Sequence, residues 1–364
     1  MVSFLDLGAT YRELRSEIDA AVASVLDGGW YIAGDFLTQF EEQYARYCEA
    51  EYCVGLANGL DSLTLSLRAM GVGPGDEVIV PSHTYIATWL AVSAVGATPV
   101  PVEPDEQSFN LDAQGVKDAL TSQTKAVMPV HLYGLPADIE AIVGVARDAG
   151  ICVIEDAAQS HGASFQGTRI GAHGDVVAWS FYPGKNLGAF GDGGAVTTRD
   201  GDVAERIRVL RNYGSRERYV HEVQGVNSRL DPLQAAILSV KLRYLDEWNE
   251  RRREIARRYS RELADTELML PAAFEERCSA WHLYVVRTPD RDALQKRLAD
   301  RGIGTHIHYP IPPFSQDAYK PEFLDAEFPL ASRIARECLS LPIGPHLSEQ
   351  DQALVVDAVR ASVD

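Results

Sequence analysis

Lys185 stands in the run Trp179-Ser180-Phe181-Tyr182-Pro183-Gly184-Lys185-Asn186-Leu187-Gly188, surrounded by apolar residues and glycines for many positions. An amine in such a setting loses solvation, and its pKa falls toward the range in which it attacks a carbonyl. Upstream, Ile154-Glu155-Asp156-Ala157-Ala158-Gln159-Ser160-His161-Gly162 puts an acid at the end of an apolar run. At the edge of a parallel sheet such a carboxylate could hold a metal, a ribose or a protonated heterocycle. Ala57-Asn58-Gly59-Leu60-Asp61-Ser62 reads as a turn that opens a helix, and free amides at a helix start can take a phosphate. Pro81-Ser82-His83-Thr84-Tyr85 also leads into a helix. Tyr85 could lie on a planar group, whereas Trp89 reads as core. Taken singly, each stretch also has an ordinary structural reading: a solvated lysine, a capping Asp, an Asn-Gly turn.

These residues need an element to present them. From Tyr52 to Thr198, apolar runs alternate with helical patterns, the signature of an α/β domain with a mostly parallel sheet. Strands are expected at 54–57, 77–81, 99–102, 126–130, 152–155, 176–181 and 194–197. Helices are expected at 61–70, 86–95 and 136–150. After Asp231-Pro232, the spacing of Leu233, Ala236, Ile237, Val240 and Tyr244 predicts one long helix reaching the Arg-rich stretch at 251–258. The remainder, with the apolar run 281–286 and helices at 291–301 and from 348 onward, reads as a smaller α+β unit. A large domain over 1–245 and a small one over 246–364 are expected, with the N-terminal segment packed on either.

The net charge of −18 opposes nucleic acid, whose phosphates it would repel. A phosphorylated small molecule needs only local donors; Arg206, Arg208, Arg211, Arg216 and Arg218 are one candidate group, or a solvated helix face and loop. No stretch approaches the ~20 apolar residues of a membrane helix, and the start lacks signal-peptide features, so a cytoplasmic location is expected. The five cysteines show neither a disulfide framework nor zinc-ligand spacing; Cys152 reads as a buried small hydrophobe and no metal is expected.

Phosphate loop, aromatic, strand-end Asp and a Ser-x-x-x-x-Lys turn follow one another in that order. With them the sequence resembles the DegT/DnrJ-type nucleotide-sugar aminotransferases, enzymes of the fold type I pyridoxal-phosphate class. The resemblance extends from Asp6-Leu7 to Leu339-Ser340-Leu341-Pro342 and is most diagnostic in Glu155-Asp156-Ala157-Ala158-Gln159 and Ser180-Phe181-Tyr182-Pro183-Gly184-Lys185. It implies an α/β large domain with a mostly parallel seven-stranded sheet and a smaller α+β domain. Pyridoxal 5'-phosphate would be carried on Lys185 as an imine, alternating with pyridoxamine 5'-phosphate. Asp156 would pair with the ring nitrogen, Gln159 with the ring oxygen, and Tyr85 would stack. The amides of Leu60 and Asp61 and the Ser180 hydroxyl would hold the phosphate.

The loop Gly225-Val226-Asn227-Ser228-Arg229-Leu230-Asp231 resembles one that crosses a homodimer interface, which makes Asn227 a phosphate ligand of the partner's site. Tyr182, His308 and Tyr309 would touch the sugar; His161 could line the same pocket or belong to the core. His308-Tyr309-Pro310-Ile311-Pro312 and the lysine loop are similar to those of members that aminate C3 of dTDP-3-keto-6-deoxyhexoses with L-glutamate as donor. Amination at C4 of a 4-ketosugar and a non-catalytic cofactor-binding regulator are the alternatives. Related sugar dehydratases carry histidine in place of the lysine, which Lys185 disfavours.

Overall fold

Alternate residues of the apolar runs part to opposite sides of one sheet. Cys53, Ile79, Val127, Val153, Val177 and Ala195 enter one buried cluster, while Val54, Val78, Ala126, Ile154, Val176 and Val196 enter another. That is the period-two pattern of a sheet covered on both faces, and it explains why these strands are near-continuous apolar runs. The structure, a computed structural model, describes residues 1–320, 323 and 327–363. Its strands are β1 (Tyr52–Leu56), β2 (Glu77–Pro81), β3 (Thr98–Val102), β4 (Thr124–Val127), β5 (Cys152–Asp156), β6 (Ser164–Phe165), β7 (Thr168–Arg169), β8 (Val176–Ser180), β9 (Gly194–Thr198), β10 (Arg277–Cys278), β11 (Tyr284–Arg287) and β12 (Cys338–Leu341).

The central sheet has seven strands in the order β1-β9-β8-β5-β4-β2-β3. All neighbours are parallel except β9, which runs antiparallel to both β1 and β8. The ends of β1, β2, β5 and β8 and the beginning of β9 therefore share one edge. Helices Gly59–Ala69, Ala87–Ala94 and Ile139–Ala149 start or end within three residues of their expected positions. Asn58 caps the first of them by accepting from the Asp61 amide at 2.8 Å.

The expected single helix after Pro232 is two, Pro232–Leu242 and Leu245–Glu262. Between them the Arg243 and Tyr244 amides donate to carbonyls only three residues back, tightening the turn before Trp248 resumes the ladder on Tyr244. A further core joins Ile255 and Tyr259 of the second helix to the β11–β12 pair and to helices Arg291–Asp300 and Glu349–Val363. Val2 pairs with Ile303 in that core, whereas Leu14 and Ile18 pack on Ile237, Val240 and Trp248. The N-terminal segment thus touches both regions. Cys152 is only partly buried, unlike the small core residue expected.

Candidate active site

At the shared sheet edge, β5 delivers Asp156 into a buried position. Its Oδ2 accepts from Thr88 Oγ1 at 2.9 Å and its Oδ1 from the Ala158 amide at 3.2 Å. Burial pushes this carboxyl above the ordinary range, against the pull of those two bonds and of the Lys185 charge. Glu155 points to the opposite face, where Oε2 accepts from His131 Nε2 at 2.8 Å. The Ala137 amide donates to His131 Nδ1, so the His131 proton sits on Nε2.

The chain leaves β8 at Ser180, turns through Pro183-Gly184 and presents Lys185, whose amide donates to the Tyr182 carbonyl at 2.8 Å. Burial lowers the Lys185 amine to about 8, with Asp156 the opposing influence. A nucleophilic amine poised near neutrality, facing an acid confined at a strand end, suits capture of a carbonyl group beside a protonated heterocycle.

The phosphate end can be tested on geometry. Gly59 lies so close to β8 that a Cβ there would come 2.6 Å from Ser180 Cβ and 3.1 Å from its hydroxyl. The first helical turn therefore opens onto Ser180 with its small residue inward. The Ser62 amide bonds the Asn58 carbonyl and the Asp61 amide bonds Asn58 Oδ1. Gly59 and Leu60 keep the free amides of this turn, so the Asp61 amide, expected as a phosphate donor, already has a partner. Donors, acid and amine fit pyridoxal phosphate: Leu60 and Ser180 at the phosphate, Asp156 at the ring nitrogen and Lys185 at the carbonyl.

Around these, Gln159 is held at both ends: Oε1 accepts from the Tyr133 amide at 2.7 Å and Nε2 donates to the Tyr309 hydroxyl at 3.1 Å. Tyr85 is largely exposed, and its ring is 5.3 Å from that of Tyr309. Burial, then Asp156 and Tyr85, raises the Tyr309 hydroxyl pKa. His308 Nδ1 bonds Ser340 Oγ at 2.8 Å, and burial, then His306 and Lys185, lowers the ring to about 4. Tyr182 is exposed at the start of the lysine loop. His161 packs its ring on Trp179 and Phe181, with both nitrogens buried and unpartnered among the described residues. It lies in the core beneath Lys185. Asn227 is exposed on one chain, though its neighbour Ser228 accepts from the Ala57 amide, beside the phosphate turn.

Three of the candidate arginines are taken up by carboxylates of the chain itself, Arg208 and Arg216 at the same Glu205. Arg211 bonds Glu41 and the Gly55 carbonyl, Arg216 bonds Glu205 and Glu222, and Arg208 lies 3.9 Å from Glu205. Sequence reasoning missed Thr88, Tyr133, Asn186 and His282. Asn186 lies inside the lysine motif and Thr88 in the helix expected at 86–95, whereas Tyr133 and His282 arrive from segments with no chemical pattern.

Residues 12–360 match the DegT/DnrJ/EryC1/StrS aminotransferase family. The chain belongs to this family. It is therefore an aminotransferase, and pyridoxal phosphate is its cofactor. It is 54% identical over 361 residues to the dTDP-3-amino-3,4,6-trideoxy-alpha-D-glucose transaminase of Streptomyces venezuelae, covering 99% of this chain and 95% of the relative. To the dTDP-3-amino-3,6-dideoxy-alpha-D-galactopyranose transaminase of Aneurinibacillus thermoaerophilus it is 52% identical, covering 99% of each. The crystal structure of S. venezuelae DesV in complex with a ketimine intermediate superposes with a TM-score of 0.99 at 54% identity, over 100% of this chain and 98% of that one. The mostly parallel seven-stranded sheet agrees with that fold. Among the described residues, no helix is long and apolar enough to cross a membrane.

Proposed function

We propose that this aminotransferase moves an amino group from L-glutamate to C3 of a dTDP-linked 3-keto-6-deoxyhexose, in active sites shared between the two subunits of a homodimer. The opposition of Lys185 and Asp156 at one sheet edge carries the reading of the chemistry. Its extension to a C3 ketosugar is supported by identity above 50% to two relatives named for 3-amino dTDP-sugars.

Bound here, pyridoxal phosphate supplies the carbonyl that takes up the amino group and the ring that accepts electron density from the adjacent C–H bond. Asp156 would hold the ring-nitrogen proton, with the Thr88 bond fixing its carboxyl and favouring the ionised form against burial. Lys185 Nζ takes the proton from the glutamate Cα in the first half-reaction and delivers one to the sugar carbon in the second. Tyr182, His308 and Tyr309 flank the sugar, and Tyr85 covers the ring. Gln159, already fixed by Tyr133 and Tyr309, would meet the ring oxygen.

A two-subunit site is supported by large apolar residues left exposed on two loops, among them Trp30, Tyr31, Tyr219, Val220 and Val223. Asn227 would reach the partner's phosphate from such a loop. The large and small domains would divide at residue 245, where the second of the paired helices begins. Five unpaired cysteines suit a cytoplasmic setting.

The deciding measurement is amine transfer from L-glutamate to a panel of dTDP- and UDP-linked 3-keto and 4-keto sugars, with each product located by NMR. A C3 amine on the dTDP-hexose is expected. Lys185→Ala should lose the glutamate half-reaction by at least about a thousandfold. Preferred C4 amination, or near-normal turnover by that variant, overturns the reading.

A further inference from the structure

The residue after the lysine fixes the chemistry of a histidine in the small domain. Asn186 is buried and donates both amide hydrogens, to the Ala280 carbonyl at 2.8 Å and to Asn249 Oδ1 at 2.9 Å. Asn249 in turn donates Nδ2 to the His161 carbonyl at 2.8 Å. Main-chain carbonyls only accept, so both amide orientations are determined. Asn186 Oδ1 is then an acceptor, and His282 Nδ1, 3.2 Å away, must carry the proton. The neutral ring leaves a lone pair on Nε2. Among the described residues Nε2 has no partner, and it is not one of the sealed ring nitrogens, unlike those of His161 and His173.

The segment carrying this ring is held firmly. Arg252, itself buried, donates to the carbonyls of Trp281, His282 and Ile343 at 3.2, 3.4 and 3.3 Å. Gly134, at φ +99°, lies under the same backbone, and a Cβ there would come 2.8 Å from the His282 nitrogen. Trp281 has φ +47°, unusual for a bulky side chain, and residues held this way concentrate at working sites. Burial keeps His282 well below the usual histidine range, followed by the charges of Lys185, Arg252 and His308. Bonded through Nδ1 to the residue that follows Lys185, the ring stands beside the lysine loop as a neutral acceptor.

The geometry points to His282 as a further substrate-binding residue, oriented by Asn186 so that Nε2 accepts a hydrogen bond from a hydroxyl of the sugar. A lone pair repels carboxylate and phosphate oxygens and accepts from O–H, the group in which the sugar is richest. The inference rests on the nucleotide-sugar reading above.

Two measurements test it. Calorimetry on the holoenzyme would compare a dTDP-linked 6-deoxyhexose bearing a hydroxyl at C3 with dTDP alone. His282→Leu should lower the preference for the sugar nucleotide about tenfold, the worth of one good hydrogen bond, and His282→Gln should restore part of it through its carbonyl oxygen. Equal weakening of both ligands, or an unaltered preference, overturns the assignment. Nitrogen-15 shifts of the His282 ring in the wild-type protein form the second arm, which does not depend on how the variants fold. Protonation at Nδ1 is expected; a proton on Nε2 overturns the proposal. Wild-type enzyme that accepts glutamate but binds no nucleotide sugar would instead overturn the functional reading, and His282's role with it.

Discussion

Lys185 gains its reactivity from where its amine lies. A folded-state pKa of about 8, against about 10.4 for a free lysine, means the neutral amine is scarce at pH 6.5 and predominates by pH 9. Capture of pyridoxal phosphate by the apoenzyme should therefore accelerate about tenfold per pH unit up to about 8 and then level, as followed by the visible absorbance of bound cofactor. A profile still climbing at pH 10 would mean the amine is solvated. Much of this residue's company was legible in the sequence, because Asp156, Ser180 and Lys185 sit in short motifs whose spacing reflects the ends of adjacent strands. His282 was not legible. It lies inside 281–286, which reads as one apolar run, whereas the structure starts β11 only at Tyr284, after the left-handed turn at Trp281. Its meaning depends on Asn186, close to it only once the chain has folded.

Strands were the most legible elements, since burial on both faces selects apolar residues along most of β2, β5 and β8, at 78–80, 152–154 and 176–179. Helix limits depended on particular groups: Asn58 marks the start of one, but nothing in the local pattern of Arg243-Tyr244 announces the tightened turn that splits the long helix. The β6–β7 hairpin also escaped notice, for its strands are only two residues each and its turn, Gln166-Gly167, is short. At this scale the closest demand on sequence is the approach of helix Gly59–Ala69 to β8. Gly59→Ala must move the helix start or Ser180, because 2.6 Å between carbons is far inside contact. Overpacking of this kind costs about 1–3 kcal/mol. The expected outcome is a fall in cofactor affinity of roughly tenfold or more, read by equilibrium dialysis, with the apoenzyme still folded by circular dichroism. Wild-type affinity in this variant would separate the turn from the phosphate.

For the whole molecule, a net charge of −18 would oppose the proposed nucleotide diphosphate substrate, which has the same sign. Long-range repulsion slows encounter, and salt screens it over about 8–10 Å. Raising ionic strength from about 10 to 150 mM should thus increase kcat/KM for the nucleotide sugar severalfold, the reverse of a protein that steers its substrate. A decrease would point instead to local cationic steering at the site entrance. The sheet itself adds a consequence for how the molecule assembles. Because β9 runs against β8, residues 181–193 form a hairpin connection with both feet on the same edge. Its closure joins near neighbours in sequence, whereas pairing β1 with β9 joins Tyr52 to Thr198, far apart along the chain. The entropy of closing the short loop is smaller. The lysine's own scaffold is therefore a locally encoded module, while the phosphate turn beyond β1 reaches it by a long-range contact, which makes completion of the cofactor site a report on folding of the whole sheet.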